Sequence, residues 1–409
     1  MRSGNTMKLI KYIFSLAIVT SALLPWNATA IDGSDFIRKP GSAFSPNHTE
    51  DLLVKSLLEI TQGQLQQALT TIDETIRSAP NFKLAHLVRG DLLMVLSQQF
   101  QSFGNNTDGA QVEALRSEAR TRLEHYLLQQ KPQSVPEPLW QLDPEQHHVI
   151  VVDASKSRLY LYRNQDGKPH LVADFYVTLG KNGSGKSTEG DKRTPEGVYF
   201  ASSKLTQKLP DFYGDGAYPL NYPNEWDKHQ GKDGHGIWLH GTPNSTYSRA
   251  PRASDGCVVI ANQDLRALAP ILNTGKTPVI ITSKLDWLNP QQDIEEKQSL
   301  SKALENWRHD WQAQDTDQYL AHYSSSFFSE NADFTEWSAY KRRIQASKPK
   351  VDIKLSNISM FRYPDSKQQL AVVTFEQDYI SDNLDSHMRK RQYWIFENQR
   401  WKIIYEGAA

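Results

Sequence analysis

A proline-rich stretch, KPQSVPEPLWQLDPE (residues 131–145), separates two halves of the chain that follow different hydrophobic periods, and nothing else limits the possible folds as much. Before it, apolar residues recur at helical spacing. Leu53, Leu57 and Ile60 lead to a break at Gly63, and Leu65, Ala68, Leu69, Ile72 and Ile76 continue to Pro80. After a break over 102–109, a further helix over 110–130 places Leu115, Leu123 and Leu127 inward. Beyond the prolines the period changes. Residues 149–152 (VIVV) are continuously apolar, 158–162 alternate, and Leu171, Ala173, Phe175, Val177 and Leu179 form one face of a strand. A single core cannot serve both periods, so the expectation is a multidomain α+β protein with a helical region at 51–130, a linker at 131–146 and a mostly-β domain at 147–285. A final domain, 298–409, begins with helical stripes (Leu304, Trp307, Trp311; Tyr319, Leu320, Tyr323) and ends in strands at 353–361, 370–379, 392–397 and 401–405.

The first residues set the compartment. Lys8 and Lys11, the apolar run 13–24 and Ala28-Thr29-Ala30 predict a Sec-type secretory signal over 1–30, with Met7 as an alternative start, followed by a flexible leader over 31–50. The apolar run is short for a membrane span, so the membrane is expected as a partner only if the signal stays uncleaved. A periplasmic location follows. With a formal net charge of -1 over 409 residues, nothing favours nucleic acid.

The sequence has a single cysteine, Cys257, which therefore has no intramolecular disulfide partner. A thiol attacks only as the thiolate and needs a base or a positive charge nearby. In residues 236–240 the period-two alternation predicts a strand burying Ile237 and Leu239, with Trp238 and His240 on the other face. His235 has the opposite parity, so His240 is the expected base. Ser254-Asp255-Gly256 forms a turn in front of Cys257 and the apolar run 258–260, and Asn262 caps a helix carrying Leu265, Leu268, Ala269 and Leu272. Backbone N–H groups at this turn, Gly256 among them, are candidates for an oxyanion hole. Tyr222 and Trp226 are candidate walls of the cleft, and with Ser254, Asp255 and Trp238 they are the candidate substrate-binding residues. No cofactor or metal is expected. Residues 180–187 (GKNGSGKS) spell a phosphate-binding loop, but Gly190, Pro195 and Gly197 forbid the helix such a loop must open.

The order His240-Gly241-Thr242, then Ser254-x-Gly256-Cys257, resembles the signature of the L,D-transpeptidase (YkuD-like) catalytic family. That resemblance implies a Cys257 nucleophile, a His240 base, a Gly241 carbonyl orienting the imidazole, and peptidoglycan stem peptides as substrates. Two positions depart from the common pattern: Asp255 stands where many members have histidine, and Val259 where many have arginine. Gly63, Leu65, Ala68, Ile72 and Pro80 are similarly placed to the marker positions of a tetratricopeptide repeat, although a plain helical hairpin gives the same pattern. The final domain resembles the nuclear-transport-factor-2-like (SnoaL-like) cone, and the combination resembles cell-shape-determining L,D-carboxypeptidases of helical bacteria. What the resemblance implies is cleavage of the terminal D-alanine from tetrapeptide stems through an acyl-enzyme resolved by an amine or by water, with the helical or C-terminal domain open to a protein partner. A non-catalytic wall-binding scaffold is the alternative of another class; the joint presence of His240 and Cys257 argues against it.

Overall fold

The computed structural model describes residues 48–97, 109–128, 135–272, 276–288, 294–346, 350–364, 368–382 and 384–409. The expected signal and most of the leader lie outside the described residues.

The first unit is helical: α1 (His48–Thr61), α2 (Leu65–Ser78), α3 (Lys83–Leu96) and α4 (Gly109–Leu127). Leu53, Leu57, Ile60, Ala68, Ile72, Phe82, Ala85 and Val88 form its core, as their spacing requires, and Tyr247 and Ala261 of the next unit join it. Leu127, expected inward, is exposed.

Next come β1 (Val135–Pro136), β2 (Leu139–Gln141), β3 (His148–Asp153), β4 (Arg158–Gln165), β5 (Lys168–Gly180), β6 (Gly197–Ala201), β7 (Ala217–Pro219), α5 (Glu225–His229), β8 (Trp238–His240), β9 (Arg252–Ser254), β10 (Val258–Ile260), α6 (Asn262–Leu272), β11 (Thr277–Thr282) and β12 (Trp287–Leu288). One nine-stranded sheet runs β6-β11-β3-β4-β5-β10-β8-β7, with β9 beside β5. Its central strands β3, β4 and β11 are buried on both faces. Ile150, Val152, Leu159 and Leu161 pack with Leu265, Leu268 and Leu272 of α6, whereas Val149, Val151, Tyr160 and Tyr162 pack with Phe361, Val372 and Tyr393 of the last unit. This double burial explains why β3 reads as a continuous apolar run.

The last unit contains α7 (Ile294–Gln312), α8 (Thr316–Ala321), β13 (Tyr323–Phe328), α9 (Phe334–Gln345), β14 (Val351–Arg362), β15 (Leu370–Ser381), β16 (Leu384–Glu397) and β17 (Arg400–Ala408). Its aromatic stripes are core: Trp307, Tyr319, Phe375 and Trp394 are fully buried. The segment expected to be a linker is not a free connection in its described part. β1 pairs with β12, and β2 adds an edge strand to the last sheet, β13-β17-β16-β15-β14-β2. Pro136 ends β1 and Pro138 immediately precedes β2, positions where sheet hydrogen bonding tolerates proline.

Candidate active site

Strands β8 and β10 are parallel neighbours, with Val258 level with Leu239 and Val259 level with His240. Residues at one level of a sheet point to the same side, so the alternation places Cys257, one residue before β10, on the face of His240. Ile237 and Leu239 are buried in the opposite core, and Trp238 is partly exposed. The expected strand over 236–240 is shorter, starting at Trp238. His235 points to solvent, with Nδ1 3.6 Å from Glu189 Oε1.

His240 Nδ1 lies 2.7 Å from the Gly241 carbonyl oxygen. A carbonyl can only accept, so Nδ1 carries the proton and Nε2 keeps the basic lone pair. A Cβ on Gly241 would come within 2.0 Å of Asn262 Oδ1, which is why a glycine stands there. Burial pushes the His240 pKa down to about 4, helped by the charge of Arg249 and opposed by the Gly241 carbonyl. The imidazole is therefore neutral at physiological pH. Tyr213 and Phe212, in a 3-10 turn at Asp211–Tyr213, pack around it with ring centroids at 5.1 and 5.8 Å.

Cys257 is half-buried, with Sγ 3.4 Å from the Gly236 carbonyl oxygen. Burial pushes its thiol pKa up and the Asp255 carboxylate adds to this, while the Trp238 backbone N–H, Arg249 and Lys186 pull it down. The resting pair is thus a neutral thiol and a neutral imidazole. Gly256 adopts φ 128, and a Cβ there would meet the Arg193 carbonyl oxygen at 2.8 Å.

Ser254 is a buried brace. Its Oγ accepts from the Gly256 N–H at 3.1 Å and donates to the Cys257 carbonyl at 2.7 Å. The Gly256 amide is therefore already engaged, which removes it from the expected oxyanion hole. Asp255 is exposed and pairs with Lys181 Nζ at 2.9 Å. Tyr222 and Trp226 do not wall the cleft. Tyr222 packs in the sheet core with its hydroxyl donating to the Asp233 carbonyl at 2.9 Å, and Trp226 is buried in the core shared with the last unit. Both sit in a segment whose apolar surface is drawn inward by the two adjoining cores. The aromatic walls are instead Phe212, Tyr213 and Trp238, the last two 5.0 Å apart. Phe212, Tyr213 and Arg249 escaped the sequence reading; the tight DFYGDG turn was the available signal for the first two. Residues 180–187 open no helix, and Lys186 is buried with Nζ 3.0 Å from Asp191 Oδ1.

Residues 147–281 match the family model of the L,D-transpeptidase catalytic domain, YkuD, and residues 299–407 match that of the Cds6 C-terminal NTF2-like domain. The chain carries a YkuD L,D-transpeptidase catalytic domain followed by an NTF2-like domain. Among solved structures it is similar to Bd1075 of Bdellovibrio bacteriovorus, at 28% identity and TM-score 0.60, covering 68% of this chain and 98% of that one. It is also similar to Pgp2 of Campylobacter jejuni, described as a helical cell shape determining protein, at 25% identity and TM-score 0.56, covering 70% of this chain and 99% of that one. No curated protein matches the chain. The YkuD family and the likeness to Pgp2 support a function related to peptidoglycan and the cell wall. Of the residues expected in the site, the YkuD fold brings together Cys257, His240, Gly241, Ser254, Gly256 and Trp238.

Proposed function

We propose that the protein is a periplasmic cysteine acyltransferase that removes the terminal D-alanine from tetrapeptide stems of peptidoglycan. The observation that carries this reading is the tautomer set by Gly241, which leaves Nε2 of a neutral His240 as a base on the same sheet face as Cys257. In the first half-reaction Nε2 takes the thiol proton as Sγ bonds to the carbonyl carbon of the residue before D-alanine. The tetrahedral intermediate then collapses, the C–N bond breaks, and the imidazolium returns its proton to the departing amine. In the second half-reaction His240 activates the acceptor, and the thioester is released.

We favour water as the acceptor. Asp255 is the acidic group nearest the nucleophile in sequence, and its pairing with Lys181 offsets the pull it would exert on a substrate amine. The residues read as a secretory signal support export. The likeness to a protein described as determining helical cell shape supports a role in wall trimming. Incubation with a disaccharide tetrapeptide, followed by mass measurement, tests the proposal. Tripeptide and free D-alanine are expected. Dimers joined between stems would refute water as the acceptor while keeping the acyltransferase, and unchanged tetrapeptide would refute both.

A further inference from the structure

The loop between base and nucleophile has little regular structure of its own and is gripped by the helical region. Ser248 Oγ donates to Glu118 Oε1 on α4 at 2.6 Å. Glu118 is itself fixed by Arg122, whose Nε and Nη2 donate to the same oxygen at 3.0 and 2.9 Å. One residue earlier, the Tyr247 N–H donates to the Asn81 carbonyl at 3.2 Å, and its ring lies 4.6 Å from Phe82. Asn81 Nδ2 also donates to the Asn244 carbonyl at 3.0 Å. One residue later, the Arg249 carbonyl accepts from the Tyr176 and Thr178 hydroxyls, each at 2.9 Å. The Arg122 guanidinium sits 3.9 Å from the centre of the Tyr176 ring, so the helical region reaches Arg249 by this route as well.

Arg249 is near enough to Cys257 for its charge to act on the thiol. Thr178, which holds its carbonyl, is the cross-strand partner of Val259 on β10. Its guanidinium is 5.1 Å from the centre of the Phe212 ring, which in turn packs on His240. One terminal nitrogen donates to the Ala253 carbonyl, while Nη1 is buried and has no hydrogen-bond partner among the described residues. A buried donor without an acceptor costs about 1–3 kcal/mol, so it is a feature that needs an explanation. The reaction supplies one: nucleophile and base rest as a neutral thiol and a neutral imidazole, and beyond the standing charge of the Asp255 carboxylate new negative charge appears as the thiolate and then the tetrahedral oxyanion form.

We propose that the helical region completes the catalytic site: Glu118, acting through Ser248, is a positioning residue that holds Arg249 where its charge stabilises the anion formed at Cys257. Glu118 and Asn81 lie outside both family-matched ranges, so this support belongs to the chain's additional helical unit. The substrate arm of the test rests on the proposed function, whereas the alkylation arm depends on the thiol alone.

The experiment uses the full chain with Ser248→Ala, Ser248→Thr, Arg249→Gln and the Ser248→Ala/Arg249→Gln double variant. Iodoacetamide alkylation of Cys257 is followed against pH, alongside kcat and KM on the tetrapeptide. Ser248→Ala should slow alkylation about three- to tenfold at fixed pH and move the profile upward, equivalent to loss of part of one charge interaction. Its melting temperature should stay close to that of the parent protein. Ser248→Thr should restore the profile, Arg249→Gln should reproduce the shift, and the double variant should add little to either single change. The tetrapeptide arm should show the loss in kcat rather than KM. An unmoved profile in Ser248→Ala, or additive effects in the double variant, would overturn the positioning role. Absence of tetrapeptide turnover in the parent would refute the proposed substrate and leave the alkylation result to decide this inference.

Discussion

Arg122→Met is the sharpest test of how the helical and YkuD domains are joined. Arg122 is almost fully buried and bridges Glu50 at 2.6 Å to Glu118 at 2.9 Å, while Arg158 binds Glu50 at 2.9 Å and Asp174 at 2.9 Å. With Arg122 gone, Glu50 keeps Arg158, but Glu118 loses its cation and keeps the Ser248 hydroxyl. A buried carboxylate in that position takes up a proton instead of remaining charged. Protonating a glutamate of ordinary pKa costs at most about 4 kcal/mol at pH 7 and about 1 kcal/mol at pH 5. Burial already pushes the Glu118 pKa up with Arg122 present, so these are upper figures. The lost stacking on Tyr176 adds about 1–2 kcal/mol at either pH. Urea unfolding should therefore show a loss of up to about 5–6 kcal/mol near pH 7, shrinking to at most about 2–3 kcal/mol near pH 5. A loss that does not shrink on acidification, or one below about 1 kcal/mol at pH 7, would refute this account of the interface.

Cys257→Ala and His240→Ala should each abolish tetrapeptide turnover while leaving circular dichroism unchanged; full activity in Cys257→Ala would rule out the covalent step. Because burial raises the Cys257 pKa, its alkylation should rise with pH to a midpoint above the ordinary thiol range, and a thiolate detected by ultraviolet absorbance at neutral pH would contradict this. Asp264 is buried and its pKa is pushed up to about 7, chiefly by desolvation, with Glu50 adding to it. Its folded pKa exceeds its unfolded value, so the stability present below about pH 4 is lost as pH rises toward 7. Asp264→Asn should accordingly gain melting temperature relative to the parent over that window, and a constant offset across it would count against the assignment. Trp226→Ala should cost about 3–5 kcal/mol in unfolding experiments, because the ring fills the core shared with the NTF2-like domain; a near-neutral effect would place it back at an open cleft.

What the sequence made legible was set by local physics. His240 and Cys257 could be found because strand parity and a glycine turn are properties of a few adjacent residues. The helical and β periods on either side of residues 131–145 were readable for the same reason. Trp226 was misplaced because its environment is made by Phe361 and Tyr393, more than a hundred residues away, and nothing in its own neighbourhood distinguishes a cleft wall from an interdomain contact. The linker was misread on the same grounds. Prolines announce a break in regular structure, but the short strands between them acquire partners at Trp287 and Phe361 that no local pattern predicts.

These distant partners also explain why the three units behave as one structure. Val149, Val151 and Tyr162 are apolar or aromatic on the face that would be solvent-exposed in an isolated YkuD domain, and they are buried in the core shared with the NTF2-like domain, while the Tyr160 ring on the same face packs edge-on against Trp287 at 5.3 Å. On the same side, Arg391 and the Tyr393 hydroxyl reach Glu225, while Asn224 donates to the Tyr363 hydroxyl at 3.0 Å. Against another part of the sheet, the helical unit meets strands β4 and β5 through charge, with Arg158 and Asp174 continuing the network of Glu50 and Arg122. Apolar burial is non-directional and supplies adhesion; a paired buried network fixes register, since each group has one set of partners. The division suits the chemistry. The NTF2-like domain closes the apolar face of the catalytic sheet, and the helical unit fixes in register the loop whose placement decides where Arg249 stands relative to Cys257.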